Sequence, residues 1–218
     1  MSNRVVFIGG FANGKEMGQE VSKALEYYYA EVEDPWTFAR AMDDSRNSRL
    51  ESLIKGGVNI VTHSAGMMAV DTVVDRDLRP ESVHAIAAPV PTSIPHLLGR
   101  SAQKTWDMHV DGYDPRAVLS YNMSSTAEVL AHPIGNFRHL GAISRYDSVE
   151  FGKDLVAAGI PTGLTVMNRD QFFQISVDRE REARTLGIDF QHAPGVHDEL
   201  VLYPGQMLAD IDVRPRLG

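Results

Sequence analysis

Residues 59–69 read NIVTHSAGMMA, and this stretch decides the fold class. Its first half is rich in β-branched residues, as in a buried strand, and its second half is small and apolar, as in a packed helix. Ser64 stands where the two meet. A serine on a sharp strand-to-helix turn forms a nucleophile elbow, in which the residues two before and two after it must be small. Gly66 meets this requirement, whereas Thr62 replaces the usual first glycine.

Ser64 has a second interpretation, because serine is also a common residue at the N-cap of a helix. The motif T-H-S-A-G, taken alone, favours that interpretation over a nucleophile. The rest of the chain must therefore decide between the two.

The alternation of strand and helix continues on both sides of Ser64. Short apolar runs, most of them ended by glycine or proline, predict about six strands, at 5–8, 30–33, 58–61, 83–88, 164–167 and 188–190. Helical spacing predicts helices at 15–29, 37–55, 64–74, 148–158, 171–186 and 200–211. Strand, helix, strand is the rhythm of a parallel sheet covered on both faces. The sequence predicts an α/β fold, a three-layer α/β/α sandwich with a mostly parallel sheet.

Length and patterning predict one domain over residues 1–218 with an insertion. The chain has 218 residues, of which 43% are hydrophobic, enough for one sizeable core. The rhythm fails between residues 91 and 147, where apolar residues are scattered among Pro, His, Gly and Ser. We interpret 91–147 as a partly helical insertion.

Composition argues against several classes of partner and site. The net charge of -8 gives no electrostatic reason to bind nucleic acid or an anionic membrane. The absence of cysteine excludes disulfides, thiolate metal sites and a cysteine nucleophile. The apolar run at 5–8 is too short for the core of a signal peptide, and no run approaches ~18 apolar residues. We therefore expect a soluble protein located in the cytoplasm.

A glycine-rich turn, Gly9-Gly10-Phe11, follows the first predicted strand. An acyl-transfer enzyme of this architecture needs a backbone N–H there to stabilise the oxyanion, and a second N–H from the residue after the nucleophile. The predicted donors are the N–H groups of Phe11 and Ala65. A phosphate-binding loop is the competing interpretation, but neither G-x-G-x-x-G nor G-x-x-x-x-G-K-[ST] is present.

His197 is the preferred general base among eight histidines. It lies in a Gly/Pro-containing loop after the last predicted strand, from which it can reach the elbow. His63 is adjacent to Ser64 and cannot easily turn its ring onto that hydroxyl, so packing or surface roles are expected for it and for His84 and His192.

Asp170 is the preferred orienting acid, because it follows the predicted strand at 164–167 by a few residues. An N-cap of the following helix is its alternative role. Asp198 is next to the base in sequence and poorly placed to bond its far nitrogen. Asp147 and Asp154 would put the acid before the last two strands.

With Ser64, Asp170 and His197 in this order, the sequence resembles the α/β-hydrolase superfamily over nearly its whole length. The resemblance implies a helical cap in the interval 91–147. It also implies that this chain lacks the usual leading antiparallel hairpin, since it starts directly on the strand before the oxyanion turn. Gly9-Gly10-Phe11 departs from the usual His-Gly-x, so the oxyanion role of Phe11 rests on its position.

The resemblance implies a serine hydrolase that cleaves a carboxylic ester of a small acyl substrate through an acyl-enzyme on Ser64. No cofactor and no metal is needed for that chemistry. The same triad could act on an amide, a thioester, a lactone or a C–C bond. A non-catalytic binding protein of the same fold is the rival from another class. Three apolar residues of the insertion are candidates to line the acyl site, although ordinary packing of the cap helices is the expected role for most of them: Trp106, Met108 and Met123.

Overall fold

The sheet of the protein is built from six strands. The computed structural model describes residues 3–11, 13–42, 47–73, 78–110, 112–131 and 133–214. The strands are β1 (Arg4–Ile8), β2 (Glu31–Val32), β3 (Asn59–His63), β4 (Ser82–Ile86), β5 (Thr162–Arg169) and β6 (Asp189–Val196). They lie in the order β2-β1-β3-β4-β5-β6, and each neighbouring pair is parallel. The predicted parallel sheet of about six strands is confirmed.

Eleven helices are present in the described part of the chain. They are α1 (Lys15–Leu25), α2 (Phe38–Ala41), α3 (Asn47–Lys55), α4 (Gly66–Val73), α5 (Ile94–Val110), α6 (Pro115–Ala131), α7 (Pro133–Ile143), α8 (Ser148–Ala157), α9 (Val177–Thr185), α10 (Glu199–Leu202) and α11 (Pro204–Ala209). No described helix is long and apolar enough to cross a membrane.

Alternate residues of the strands serve two separate cores. In β1, Val6 and Ile8 join the core under α2, α3, α4, α8 and α9, whereas Val5 and Phe7 join the core under α1, α10 and α11. Successive side chains of a strand point to opposite faces of the sheet. Because helices cover both faces, the central strands are apolar at nearly every position. The predicted three-layer α/β/α arrangement is confirmed.

The helix predicted at 171–186 is wrong at its start. It begins at Val177, capped by the Ser176 hydroxyl. The side chain of Asp170 instead accepts hydrogen bonds from the N–H groups of Phe172 and Phe173, which closes a turn before the helix can start. The carboxylate therefore remains in a loop after β5.

Other boundaries also differ from the sequence prediction. The helix predicted at 37–55 is two helices, α2 and α3, and residues 43–46 of that prediction lie outside the described residues. The closing helix predicted at 200–211 is divided into α10 and α11 at Tyr203, next to Pro204. The strand predicted at 188–190 runs instead from Asp189 to Val196, which brings its end directly to His197.

Three helices, α5, α6 and α7, occupy most of the interval 91–147. Leu97 and Ile143, near the start of α5 and at the end of α7, pack into the core beneath α4 and α8. The division of the chain into one domain over 1–218 with a cap insertion stays a prediction.

Candidate active site

The turn between β3 and α4 holds Ser64 in a backbone conformation unusual for a residue with a side chain. Its φ is 50°, in the left-handed region. The Ser64 N–H donates to the Ile86 carbonyl of β4 at 2.9 Å, which fixes the turn on the sheet. Such strain persists only where the surrounding structure determines it. The geometry is that of the predicted elbow rather than of a simple helix cap.

Two glycines allow the elbow to approach β1. A Cβ at Gly66 would lie 2.4 Å from the Ile8 carbonyl oxygen, and one at Gly10 would lie 2.7 Å from the Ser64 Cβ. Both distances are shorter than real contacts allow, so each position requires glycine. Thr62, which replaces the expected small residue, is fully buried and pairs in register with Ile8 and Ala85. The small side chain of Ala85 leaves space for the threonine on that side.

His197 joins Ser64 and Asp170 by hydrogen bonds. The Ser64 hydroxyl lies 2.9 Å from Nε2 of His197, and Nδ1 of His197 lies 2.8 Å from Oδ2 of Asp170. A carboxylate only accepts, so Nδ1 carries the proton and Nε2 is free to accept from serine. The structure thus brings together the three side chains predicted from three separate loops.

Asp170 is not the N-cap of the following helix, which is Ser176, but it closes a turn ahead of that helix. Its Oδ1 accepts from the N–H groups of Phe172 and Phe173 at 2.8 and 2.9 Å, while Oδ2 bonds His197. The rings of Phe172 and Phe173 pack against the imidazole, with centroids 4.9 and 5.4 Å away. One short loop therefore orients the acid and confines the imidazole.

The pKa of His197 reflects opposing effects of its surroundings. Burial lowers it, but the charge and hydrogen bond of Asp170, assisted by the charge of Asp198, outweigh burial and raise the pKa above the ordinary value. Ser64, Asp170 and His197 are at most 7% exposed. A proton taken from Ser64 would thus be stabilised on a buried imidazole.

Phe11 and Ala65 lie where the oxyanion prediction needs them. Phe11 follows Gly10 beside Ser64, and Ala65 precedes the first residue of α4, where helix N–H groups point outward. Within the described ranges, neither backbone N–H has a hydrogen-bond acceptor. Their role as oxyanion donors stays a prediction.

A cavity of about 320 Å³ opens over Ser64. One part of its wall is apolar: Phe11, Leu97, Leu140, Ile143, Phe172 and Phe173. Another part, from α5 and α6, is polar: Lys104, Tyr121, Asn122, Ser125 and Thr126. Between them lie the side chains of His63, Ser64, His197 and Asp198. The volume suits a small organic substrate.

The predicted acyl-site candidates of the insertion do not line this cavity where they are described. Met108 is fully buried against Val118 and Val196, and Met123 is 66% exposed. The Trp106 side chain lies outside the described residues. Scattered apolar residues carry no signal for the inner face of a helix, which explains the error.

His63 contributes to the site in a way that the sequence did not reveal. Its Nδ1 lies 2.9 Å from Oδ1 of Asn13, and its Nε2 lies 2.9 Å from the His197 carbonyl oxygen. Asn13 Oδ1 also accepts from the Gly10 N–H at 2.6 Å. Burial, and then the charge of His197, lower the pKa of His63 to about 4, so the ring is neutral at pH 7. A neutral ring carries one N–H, so His63 donates to only one of these two oxygens while lying between the glycine-rich turn and the loop of His197. His84 packs inside the sheet, as expected, and His192 is exposed.

A second missed group consists of Lys104, Tyr121 and Asp198. The Asp198 carboxylate does not bond His197; its Oδ1 accepts from the Tyr121 hydroxyl at 2.7 Å, and its Oδ2 lies 3.0 Å from the Lys104 ammonium. Lys104 also donates to the Tyr121 oxygen at 3.0 Å. This closed triangle connects α5 and α6 to the residue after His197. Asp198 is 77 positions from Tyr121 in the chain, so no local sequence signal predicts their contact.

One group of residues in the described part of the chain has the spacing to hold a metal ion: His63, His197 and Asp198. The side-chain atoms of all three have other partners, as given above. The Lys104 ammonium beside Asp198 would repel a cation. These residues therefore do not fit a metal ion, and the chemistry considered below uses none.

Comparisons with known proteins support the architecture. No protein-family model matches the chain, and no curated protein matches it in sequence. The fold is similar to that of a carboxylesterase from Nitrososphaera gargenis, with a TM-score of 0.63, 14% identity, and coverage of 96% of this chain and 88% of that one. A thermophilic esterase from Thermogutta terrifontis gives a TM-score of 0.60 at 15% identity, over 93% of this chain and 85% of the other. The thioesterase domain of the curacin biosynthetic pathway gives 0.57 at 11% identity, over 94% and 89%. Together with the parallel six-stranded sheet, these similarities establish that the chain has the α/β-hydrolase fold.

Proposed function

We propose that the protein is a serine hydrolase that cleaves a carboxylic ester of a small acyl substrate. The observation that carries this proposal is the chain of hydrogen bonds from Ser64 through His197 to Asp170 in one cavity. Ser64 has a left-handed backbone conformation on a strand-to-helix turn, and its hydroxyl is hydrogen-bonded to a histidine that is in turn hydrogen-bonded to a carboxylate. This is the geometry of an activated nucleophile.

The first half of the proposed reaction forms an acyl-enzyme. Ser64 Oγ attacks the ester carbonyl carbon as its proton passes to Nε2 of His197. The negative charge on the carbonyl oxygen is stabilised by the N–H groups of Phe11 and Ala65, near the N-terminus of α4. His197 then gives the proton to the leaving alkoxide, and the alcohol departs.

The second half repeats these roles with water. His197 takes a proton from water, which attacks the acyl carbon, and returns that proton to Ser64 Oγ as the acid leaves. One ester and one water become one acid and one alcohol, and no oxidant or reductant is needed. Asp170 keeps the imidazole in the required tautomer throughout.

Ester cleavage is favoured among the reactions available to such a triad by two lines of support. The cavity is partly apolar, as an acyl chain requires, and two of the three similar structures named above are esterases. A non-catalytic binding protein would not need the strained φ of Ser64 or the bond between its hydroxyl and His197.

The test combines covalent labelling with turnover. The native protein should react with a fluorophosphonate probe at Ser64 and hydrolyse p-nitrophenyl butyrate. Ser64→Ala should abolish labelling, and both Ser64→Ala and His197→Ala should lower turnover by about 10⁴-fold or more. Ser120→Ala is the matched control, because Ser120 is exposed on α6. A native protein that is folded, unlabelled and inactive on short-chain esters, amides and thioesters would defeat the proposal.

A further inference from the structure

Lys104 is a buried ammonium group on the wall of the cavity that contains Ser64. It lies on α5, and its side chain is 13% exposed. A lysine is rarely buried unless it is paired, and the reaction described above does not use it. Its presence inside the cavity therefore requires another explanation.

The ammonium is held in a fixed position. It lies 3.0 Å from Asp198 Oδ2 and 3.0 Å from the Tyr121 hydroxyl, and 4.3 Å from the centre of the Tyr121 ring. The Phe172 ring, which also packs on His197, is 5.8 Å away. Burial lowers the pKa of Lys104, but Asp198 and Tyr121 outweigh burial and raise it, so the group stays charged. Lys104 is thus a preorganised donor next to the base.

The ammonium donates a hydrogen bond to the Tyr121 oxygen and forms an ion pair with Asp198 Oδ2. Among the described residues it has no further acceptor. The hydroxyl of Ser125, on the same polar wall, is buried and likewise has no partner in the described part of the chain. Buried polar groups are normally hydrogen-bonded to protein or to water, so those without a protein partner in a cavity are available to a polar atom of a ligand.

The charges around the cavity indicate which polar atom fits. Asp198 pairs with Lys104 and Asp170 pairs with His197, so the described wall of the cavity offers no unpaired positive charge. A carboxylate on the substrate would lose its hydration and approach Asp198 without gaining a cation of its own. A neutral oxygen accepts a hydrogen bond from the ammonium without that cost.

We propose that Lys104 is a specificity-determining residue that donates its third N–H to an uncharged oxygen of the acyl chain, a ketone or hydroxyl. The favoured substrates are then oxo- or hydroxyacyl esters rather than plain alkyl esters or esters with a free carboxylate. This inference rests on the proposed ester hydrolysis and adds the substrate class.

The test compares esters matched in length. Hydrolysis is followed by titration of the released acid for methyl pentanoate, methyl 4-oxopentanoate and monomethyl succinate, and for methyl hexanoate and methyl 5-oxohexanoate. The native enzyme should favour at least one oxo ester over its alkyl partner by about 10-fold or more in kcat/KM, as expected for a hydrogen bond to a charged donor. Monomethyl succinate should be the poorest of the first three.

Variants assign that preference to the lysine. Lys104→Met should reduce the ratio of oxo to alkyl kcat/KM to near one. Because Asp198 would then be a buried unpaired charge, the variant Lys104→Met with Asp198→Asn provides a second, charge-balanced measurement of the same ratio. Lys153→Met is the matched control, since Lys153 is 48% exposed on α8 and should keep the native ratio.

The outcomes separate this inference from the proposed function. If the native protein labels at Ser64 and hydrolyses alkyl esters but prefers no oxo ester, only the role of Lys104 is overturned. The same follows if the preference survives in the charge-balanced variant or if the succinate monoester is the best substrate. If Ser64 is not labelled and no ester is hydrolysed, both proposals fail.

Discussion

Two regions of the molecule meet at the cavity over Ser64. The loops that follow β1, β3, β5 and β6 supply the glycine-rich turn and the proposed nucleophile, acid and base. The helices α5 and α6 supply Lys104, Tyr121 and Ser125. The carboxyl ends of parallel strands lie on one edge of the sheet, so the first set meets through topology alone. The second set meets the site only through the packing of helices. We expect the first region to govern the rate of the chemistry and the second to govern the choice of substrate.

The largest expected effect comes from the acid in the loop after β5. Asp170→Asn should lower kcat by about 10⁴-fold, because the amide can favour the wrong imidazole tautomer. Native activity should rise with pH as His197 loses its proton. Without the Asp170 charge the pKa of His197 falls, so this rise should move to lower pH. Steady-state kinetics across pH on p-nitrophenyl butyrate checks both expectations.

Asp178→Asn is the control for the Asp170→Asn variant, because Asp178 is 90% exposed on α9. It should retain the native rate and pH profile. A folded Asp170→Asn enzyme with native kcat would move the orienting role to another residue.

A pair of glycine variants compares the two regions directly. Gly10→Ala places a Cβ 2.7 Å from the Ser64 Cβ and 2.9 Å from the His63 carbonyl oxygen. The displacement should reduce kcat/KM by about 10²-fold, as misplacement by roughly 1 Å does. Gly99→Ala on α5 has no atom within 4 Å of the new Cβ, and should preserve activity while stabilising the helix by up to ~1 kcal/mol. Kinetics and urea unfolding measure both variants. Equal activity loss in the two would contradict the division of roles.

The stability of the protein at low pH shows whether activity is lost there because His197 is protonated or because the protein unfolds. Burial lowers the pKa of His84 to about 4, while an unfolded histidine titrates near 6.5. The unfolded chain therefore binds the extra proton first, and stability present above pH 6.5 is lost as the pH falls toward 4. Between pH 7 and 5 this one group should reduce the free energy of unfolding by about 2 kcal/mol.

The measurement is urea unfolding at several pH values, for the native chain and for His84→Gln, in which the amide can still reach Thr165. The variant should show a shallower fall of stability with acid. Identical slopes would exclude His84 as a source of acid sensitivity.

The smallest effect is expected for Tyr121, in the triangle that it forms with Lys104 and Asp198. Tyr121→Phe removes the hydrogen bond to Asp198 but keeps the ring beside Lys104, and should lower the free energy of unfolding by about 1 kcal/mol with a modest rise in KM. Tyr27→Phe, at a tyrosine that is 89% exposed, is the control. A fall in kcat as large as that of Asp170→Asn would show that the triangle governs chemistry, contrary to the comparison above.

Local patterns in the sequence account for the strands, the elbow and the three side chains of the triad. Val5–Ile8 and Asn59–His63 are short β-branched runs ended by turns, and such runs identify buried strands without tertiary information. Ser64, Asp170 and His197 each follow one of the predicted strands closely. The order of the elements then places them at one edge of the sheet.

The sequence alone therefore determined the α/β architecture, the parallel sheet and the candidate nucleophile, acid and base, because each depends on local periodicity or on a position after a strand. Only the tertiary structure decided that Asp170 lies in a turn ahead of the helix and that His63 lies between Asn13 and the His197 carbonyl. It alone brought Lys104, Tyr121 and Asp198 together. The contacts of His63 and of Asp198 join residues at least 50 positions apart in the chain, and no local pattern records which distant segments meet.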